Sequence, residues 1–155
     1  MQKKTPYADL DDIVKISKQW RKMSGLNRRE EWSAAIVRAA TAAEIAANYA
    51  IRQEFRSRSH FDEMFVDTIL RWANGIDGKL TRLLIPLHAG GRHAKTIARL
   101  RGITESLNRA RNQIVHAGHF MNSGEAGPLI SAARDLIHTL IRIYDPGFTL
   151  KDTAK

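Results

Sequence analysis

No cysteine occurs in the 155 residues, which excludes a disulfide framework and any thiolate metal site. Proline is scarce, four in all, so little interrupts a helix. No stretch approaches the roughly 18 uninterrupted apolar residues of a membrane span, and Met1 to Leu10 lacks the apolar centre of a secretory signal. A cytoplasmic protein with no membrane partner is expected. Acidic residues are few as well: sixteen Asp and Glu face twenty-five Lys and Arg, leaving a net charge of +9, and sixteen of those cations are arginine. That balance favours a polyanionic partner, RNA or DNA, although the same charge also serves plain solubility.

What is present is helical periodicity. Leu10, Ile13, Ile16 and Trp20 are spaced three and four apart and predict a first helix from Tyr7 to about Met23, stopped by Ser24-Gly25. Asn27 to about Arg56 is the longest pattern, with Trp32, Ile36, Ala39, Ala40, Ala43, Ala47 and Ala50 along one stripe; alanine favours helix and lets a neighbour approach closely. Glu44 stands out in that apolar stretch and needs a partner, either an arginine on an adjacent helix or a place in orienting a site. A third helix starts at the cap-like Ser59-His60-Phe61-Asp62, carries Phe61, Phe65, Ile69 and Trp72 with Met64 beside them, and ends near Asn74-Gly75. Asp77 to about Leu87 is a short helix broken by Pro86 and Gly90-Gly91. Arg92 to about His116 is the fifth, with Gly118 suited to its cap. After a loop from Ala117 to Gly127, Pro128 opens a last helix through Leu129, Ala133, Leu136, Leu140 and Ile143, ending at Pro146-Gly147. No window alternates as a strand does. The expectation is a single all-α domain over residues 1–155, an antiparallel bundle of four main helices with one or two additional short helices and short frayed tails at about 1–6 and 149–155.

The polar end of the fifth helix, Asn108-Arg109-Ala110-Arg111-Asn112-Gln113-Ile114-Val115-His116-Ala117-Gly118, gathers the candidate chemistry. Arg111 follows Leu107 by one turn and borders the apolar stripe, whereas Arg109 lies nearly opposite Leu107 and should face solvent. Asn112 shares a face with His116 and can accept a bond from its ring. Arg111 and His116 stand roughly 140° apart on a straight helix, so they converge only if the helix bends or ends there, or if a second subunit completes the site. The spacing alone is weak, since Arg82 and His88 also stand close to it. His119, on the glycine-flanked loop just beyond, is a further candidate contact, or an exposed loop histidine without a role. The remaining histidines lie on separate elements with no ligand spacing, so no metal and no cofactor are expected. Gly90-Gly91-Arg92-His93-Ala94-Lys95-Thr96 lacks the glycine before lysine and the preceding strand of a phosphate loop.

Arg111-Asn112-Gln113-Ile114-Val115-His116 resembles the signature of the HEPN superfamily, an Arg, a polar residue and a His at this spacing on an all-α bundle. The resemblance covers most of the chain as a pattern and about ten positions residue by residue. It implies metal-independent cleavage of RNA by a homodimer with a composite active site. Arg111, His116 and Asn112 would be catalytic, Arg109, Asn108 and His119 would touch RNA, and Glu44 would support the site. Ile114, Phe120 and Met121 could line part of the dimer interface or equally be core within their own subunit. It further implies a toxin or antiphage setting, with an antitoxin or nucleotidyltransferase-type partner. Some members carry a tyrosine two residues after the histidine; Gly118 stands there in this chain, so tyrosine modification is not implied. Other members have lost catalysis and bind RNA or protein only, which is the alternative reading.

Overall fold

Residues 4–153 are described by a computed structural model, and they are helical with no strand among them. After a 3-10 turn at Tyr7–Asp9 come α1 (Asp12–Arg28), α2 (Trp32–Arg58), α3 (Glu63–Trp72) and α4 (Ile76–Lys79). A π-helical turn at Leu80–Leu84 leads into α5 (Ile85–His88), followed by α6 (Ala94–Arg99), α7 (Arg101–Ala117) and α8 (Ser123–Arg142). The four long helices α1, α2, α7 and α8 make the expected bundle, with the short helices between α2 and α7.

Helix α2 is the axis of the bundle, and its composition explains why. Eight alanines on it are buried, so α1, α7 and α8 all approach its backbone closely. Asp12 at the start of α1 pairs with Arg52 near the end of α2, and Arg38 donates to Gln19, so α1 and α2 run antiparallel. Alongside α8, Ile36 clusters with Ala126 while Glu54 accepts from Tyr144, so those two helices run parallel. Helix α7 comes back antiparallel to α8 through the short turn after Ala117, placing Ala110 against Ile36, Met121 and Ala126.

Several boundaries differ from the sequence expectation. Helix α1 passes through Ser24-Gly25, because Ser24 is buried against the core and α2 packing outweighs the roughly 1 kcal/mol that glycine costs. It ends at Arg29 instead, where Glu30 takes a positive φ of 61°. The cap of α3 is Asp62, accepting from the Phe65 amide at 2.7 Å, rather than Ser59. Its buried residues are Val66 and Leu70; Phe61, Met64, Phe65 and Trp72, expected as its inward stripe, are exposed. Pro86 does not break the chain's helical course, since the preceding π turn absorbs its missing donor. The expected fifth helix is divided at Leu100 into α6 and α7.

Helix α8 begins five residues earlier than Pro128. Asn122 and Glu125 form a reciprocal capping box, and Pro128 sits in the second turn, where the carbonyl it leaves free belongs to exposed Gly124. The tail expected to fray after 148 is docked over residues 148–153. Phe148 and Leu150 are buried, the Leu150 amide donates to His138 Nε2, and Asp152 accepts from the buried Trp20 indole and pairs with Arg134. Residues 1–3, 154 and 155 of the expected tails lie outside the described residues. Among the described residues no helix is long and apolar enough to cross a membrane.

Candidate functional site at the end of the seventh helix

The candidate residues sit on α7, whose buried face is Thr104, Leu107 and Ala110. That face fixes where every other side chain of the helix stands. Arg109 is exposed, as its position opposite Leu107 requires, and Asn108 is half-buried against the α3–α4 turn. Asn112 and His116 are both exposed, one turn apart. Gly118 caps the helix with a φ of 65°, and the amides of Gly118 and His119 both donate to the Gln113 carbonyl, so the backbone turns away immediately after His116. The amide of Met121 then donates to Ser33 Oγ at 2.8 Å, tying the turn to α2.

Within one chain Arg111 and His116 do not share a face. Helix α7 is uninterrupted from Arg101 to Ala117, so the roughly 140° between them stands, with about 7.5 Å of axial rise. Arg111 lies towards the cluster of Ile36, Ala110 and Met121, half-buried, and its Nε is buried with no hydrogen-bond partner. A buried donor without an acceptor costs about 1–3 kcal/mol, which an arriving phosphate or carbonyl oxygen would relieve. His116 instead lies within about 20° of Arg109 and about 40° of Asn112 around the helix. An open groove of about 510 Å³ runs along this side, lined by Asp77, Glu105, Asn108, Arg109, Asn112 and Gln113. Asp77 was not singled out in the sequence; the 3.6-residue spacing from Arg109 and Asn112 puts Glu105 and Gln113 on this face.

Glu44 does not orient these residues. Lys79, only 3% exposed, donates to its Oε1 at 2.8 Å, so the partner is a lysine from α4 rather than an arginine. Glu44 lies two turns along α2 from Ile36, the residue that meets Ala110, a distance of about 12 Å along the axis. His119 Nε2 stands 3.6 Å from Glu125 Oε2, beside the capping box of α8. Of the apolar residues expected at an interface, Met121 is buried within its own chain and Ile114 packs on the same cluster. Phe120 is 89% exposed and Val115 is 53% exposed, one on each side of His116 in the sequence.

A second polar constellation escaped the sequence reading. Glu54, buried near the end of α2, accepts from Tyr144 OH at 2.6 Å and from Arg58, with His88 Nε2 3.3 Å away. Burial holds His88 below the ordinary histidine value, and burial together with the bond to Glu54 pushes the Tyr144 hydroxyl well up. The Glu54–Tyr144 bond clamps α2 to the residues just beyond α8, and Arg58, one turn along α2, holds the same carboxylate. Comparison with protein-family models, with curated proteins and with solved structures finds no significant match for this chain.

Proposed function

We propose that the chain is a HEPN-like endoribonuclease that cleaves RNA as a twofold dimer, without a metal ion. The observation that carries the reading is the pairing of an exposed His116 with an Arg111 whose buried Nε lacks an acceptor, on the six residues that resemble the superfamily signature. The exposed Val115 and Phe120 beside His116 supply apolar surface for a second copy, and a second copy supplies the Arg111 that the helix geometry keeps away. The net charge of +9 favours the polyanion.

In the reaction, the ribose 2′-oxygen attacks the adjacent phosphorus and its proton passes to a His116 imidazole. The bond to the 5′-oxygen breaks, that oxygen takes a proton from water, and the imidazolium returns its proton to the hydroxide left behind, so one His116 serves each site. Arg111 holds the phosphate as charge develops on its oxygens, and Asn112 accepts from the ring and fixes its tautomer. The products are a 2′,3′-cyclic phosphate and a 5′-hydroxyl. A toxin or antiphage role, with an antitoxin or nucleotidyltransferase-type partner, is the setting such an activity suits.

A second reading has its own support. The 140° between Arg111 and His116 within one chain is what a module that binds RNA or a protein without chemistry would tolerate. Labelled single-stranded RNA incubated with the purified chain in EDTA separates the two. Cleavage leaving cyclic-phosphate ends, lost in His116→Ala, supports the nuclease; RNA that is bound but left intact, by the native chain and by His116→Ala alike, overturns it in favour of the binding module.

A further inference from the structure

Two polar grooves flank the turn between α3 and α4. The first is the groove along α7, to which Asp77 and Asn108 contribute. The second, of about 310 Å³, lies between α2 and α3 and is lined by Asn48, Arg52, Asp67, Arg71, Asn74 and Lys79 among others. Asn74 lines the second groove, and its neighbour Gly75 lies beside Asn108 of the first. Gly75 holds a φ of 79° and lies so close to α7 that a methyl group on it would stand 3.8 Å from Asn108 Oδ1. At the far side of that turn, Trp72 ends α3 with 64% of its surface exposed, and the Arg82 guanidinium lies 5.5 Å over its ring.

The charges along this track do not cancel evenly. Glu44 is taken by Lys79, Asp67 by Arg52 and Glu105 by Arg101, while Asp77 accepts from Thr104. Arg71, Arg82 and Arg109 are in no ion pair among the described residues, which leaves three cations for phosphates beside the one carboxylate, Asp77, that no cation offsets. The remaining polar lining is amide: Asn48, Asn74, Asn108, Asn112 and Gln113. Amides donate and accept at once, which suits the edges of nucleobases better than phosphate. The side-chain oxygen of Asn48 is buried with no partner, an acceptor left for an incoming N–H.

We propose that this track holds a single strand of RNA, with its bases towards the amides, and that Trp72, backed by Arg82, is the platform on which one base stacks. The inference rests on RNA being the ligand, and names the form of RNA and where it lies. A duplex keeps its bases stacked and paired and cannot use such a platform; a single strand can, and an exposed indole beside unpaired arginines is what sequence-tolerant binding of single strands employs.

The test uses the full chain and a short fluorescein-labelled 2′-O-methyl RNA strand of mixed sequence, which cannot be cut by attack of its own 2′-oxygen. Anisotropy at fixed moderate salt gives the affinity. Trp72→Ala is expected to weaken it about tenfold or more, Trp72→Phe to keep most of it, and a duplex of the same sequence to bind less tightly than the strand. Trp20 is buried and Trp32 is half-buried against the Ile36 cluster, so the strand should quench tryptophan emission most in the native chain and less in Trp72→Ala. Because Trp72 is exposed, its replacement leaves the core intact, and an unchanged melting temperature verifies that. A Trp72→Ala chain that binds the strand as tightly as the native chain overturns the platform. Cleavage of ordinary RNA alongside that result would leave the nuclease standing. Weakened binding in a chain that cleaves nothing would support the platform and sink the nuclease.

Discussion

Replacing Asp152 by alanine tests whether the C-terminal segment is part of the fold. The Asp152 carboxylate accepts from the Trp20 indole at 2.9 Å and from Arg134 at 2.7 Å, and the Arg134 guanidinium lies 5.0 Å over the Trp20 ring. Trp20 is fully buried, so removing its acceptor leaves a donor without water, a cost of about 1–3 kcal/mol. The ion pair adds little, about 0–1 kcal/mol, because the carboxylate is more than half exposed. Asp152→Ala is therefore expected to cost about 2–3 kcal/mol, or about 5–10 °C in melting temperature for a chain of this size. Asp152→Asn keeps an oxygen for the indole and loses only the charge, so its cost should stay below about 1 kcal/mol. Urea unfolding followed by tryptophan fluorescence measures both. Equal losses in the two variants, or no loss in the alanine variant, would refute the assignment of the energy to the buried indole.

Burial chiefly holds His88 and His138 below the ordinary histidine value, Arg142 and Arg134 adding to the effect at His138, so the unfolded chain takes up protons more readily than the fold. Stability should be complete above about pH 6.5 and decline as pH falls below it towards the folded values; His138→Gln, which still offers Leu150 an acceptor, should flatten part of that decline in denaturation midpoints, and an unaltered slope would refute it. If each active site takes Arg111 from one subunit and His116 from the other, mixing Arg111→Ala with His116→Ala chains should restore about a quarter of native cleavage, since half the dimers are mixed and each holds one intact site. A mixture as inactive as either variant alone would refute that composite arrangement.

How much the sequence discloses depends on whether the deciding contact is local. The α2 alanine stripe and the Gly118 cap are local patterns, and both stand in the structure. The outward direction of Arg109 follows from its offset to Leu107 and is also found. Boundaries set by tertiary packing were not legible: Gly25 stays helical because Met23 and Ser24 before it are buried where α1 packs on α2, and Pro86 stays within a helical run because a π turn precedes it. The docking of residues 148–153 depends on Trp20, Ser24, Arg134 and His138, which are far away or on another face and invisible to a window of neighbours. Glu44 shows the limit in one residue, for the need of a partner was readable while the choice of Lys79 depends on where α4 falls.

The same distinction bears on the site. Periodicity places His116 with Arg109 and Asn112 on the groove side of α7 and sends Arg111 to the other, and no side-chain rotation brings a guanidinium through a packed helix. On α7 a single chain therefore offers an arginine and a histidine on one face as Arg109 and His116, two turns apart and about 10.5 Å along the axis, too far for both to grip one phosphate directly. Arg111, by contrast, has its Nε buried without an acceptor, a cost no exposed arginine would bear and one that a bound oxygen removes. A second copy across Val115 and Phe120 answers both difficulties at once, since it can present a second Arg111 to the exposed His116 and cover apolar surface that one chain leaves in water. Under the nuclease proposal, the groove face with Arg109 would follow the RNA strand away from the bond being cut.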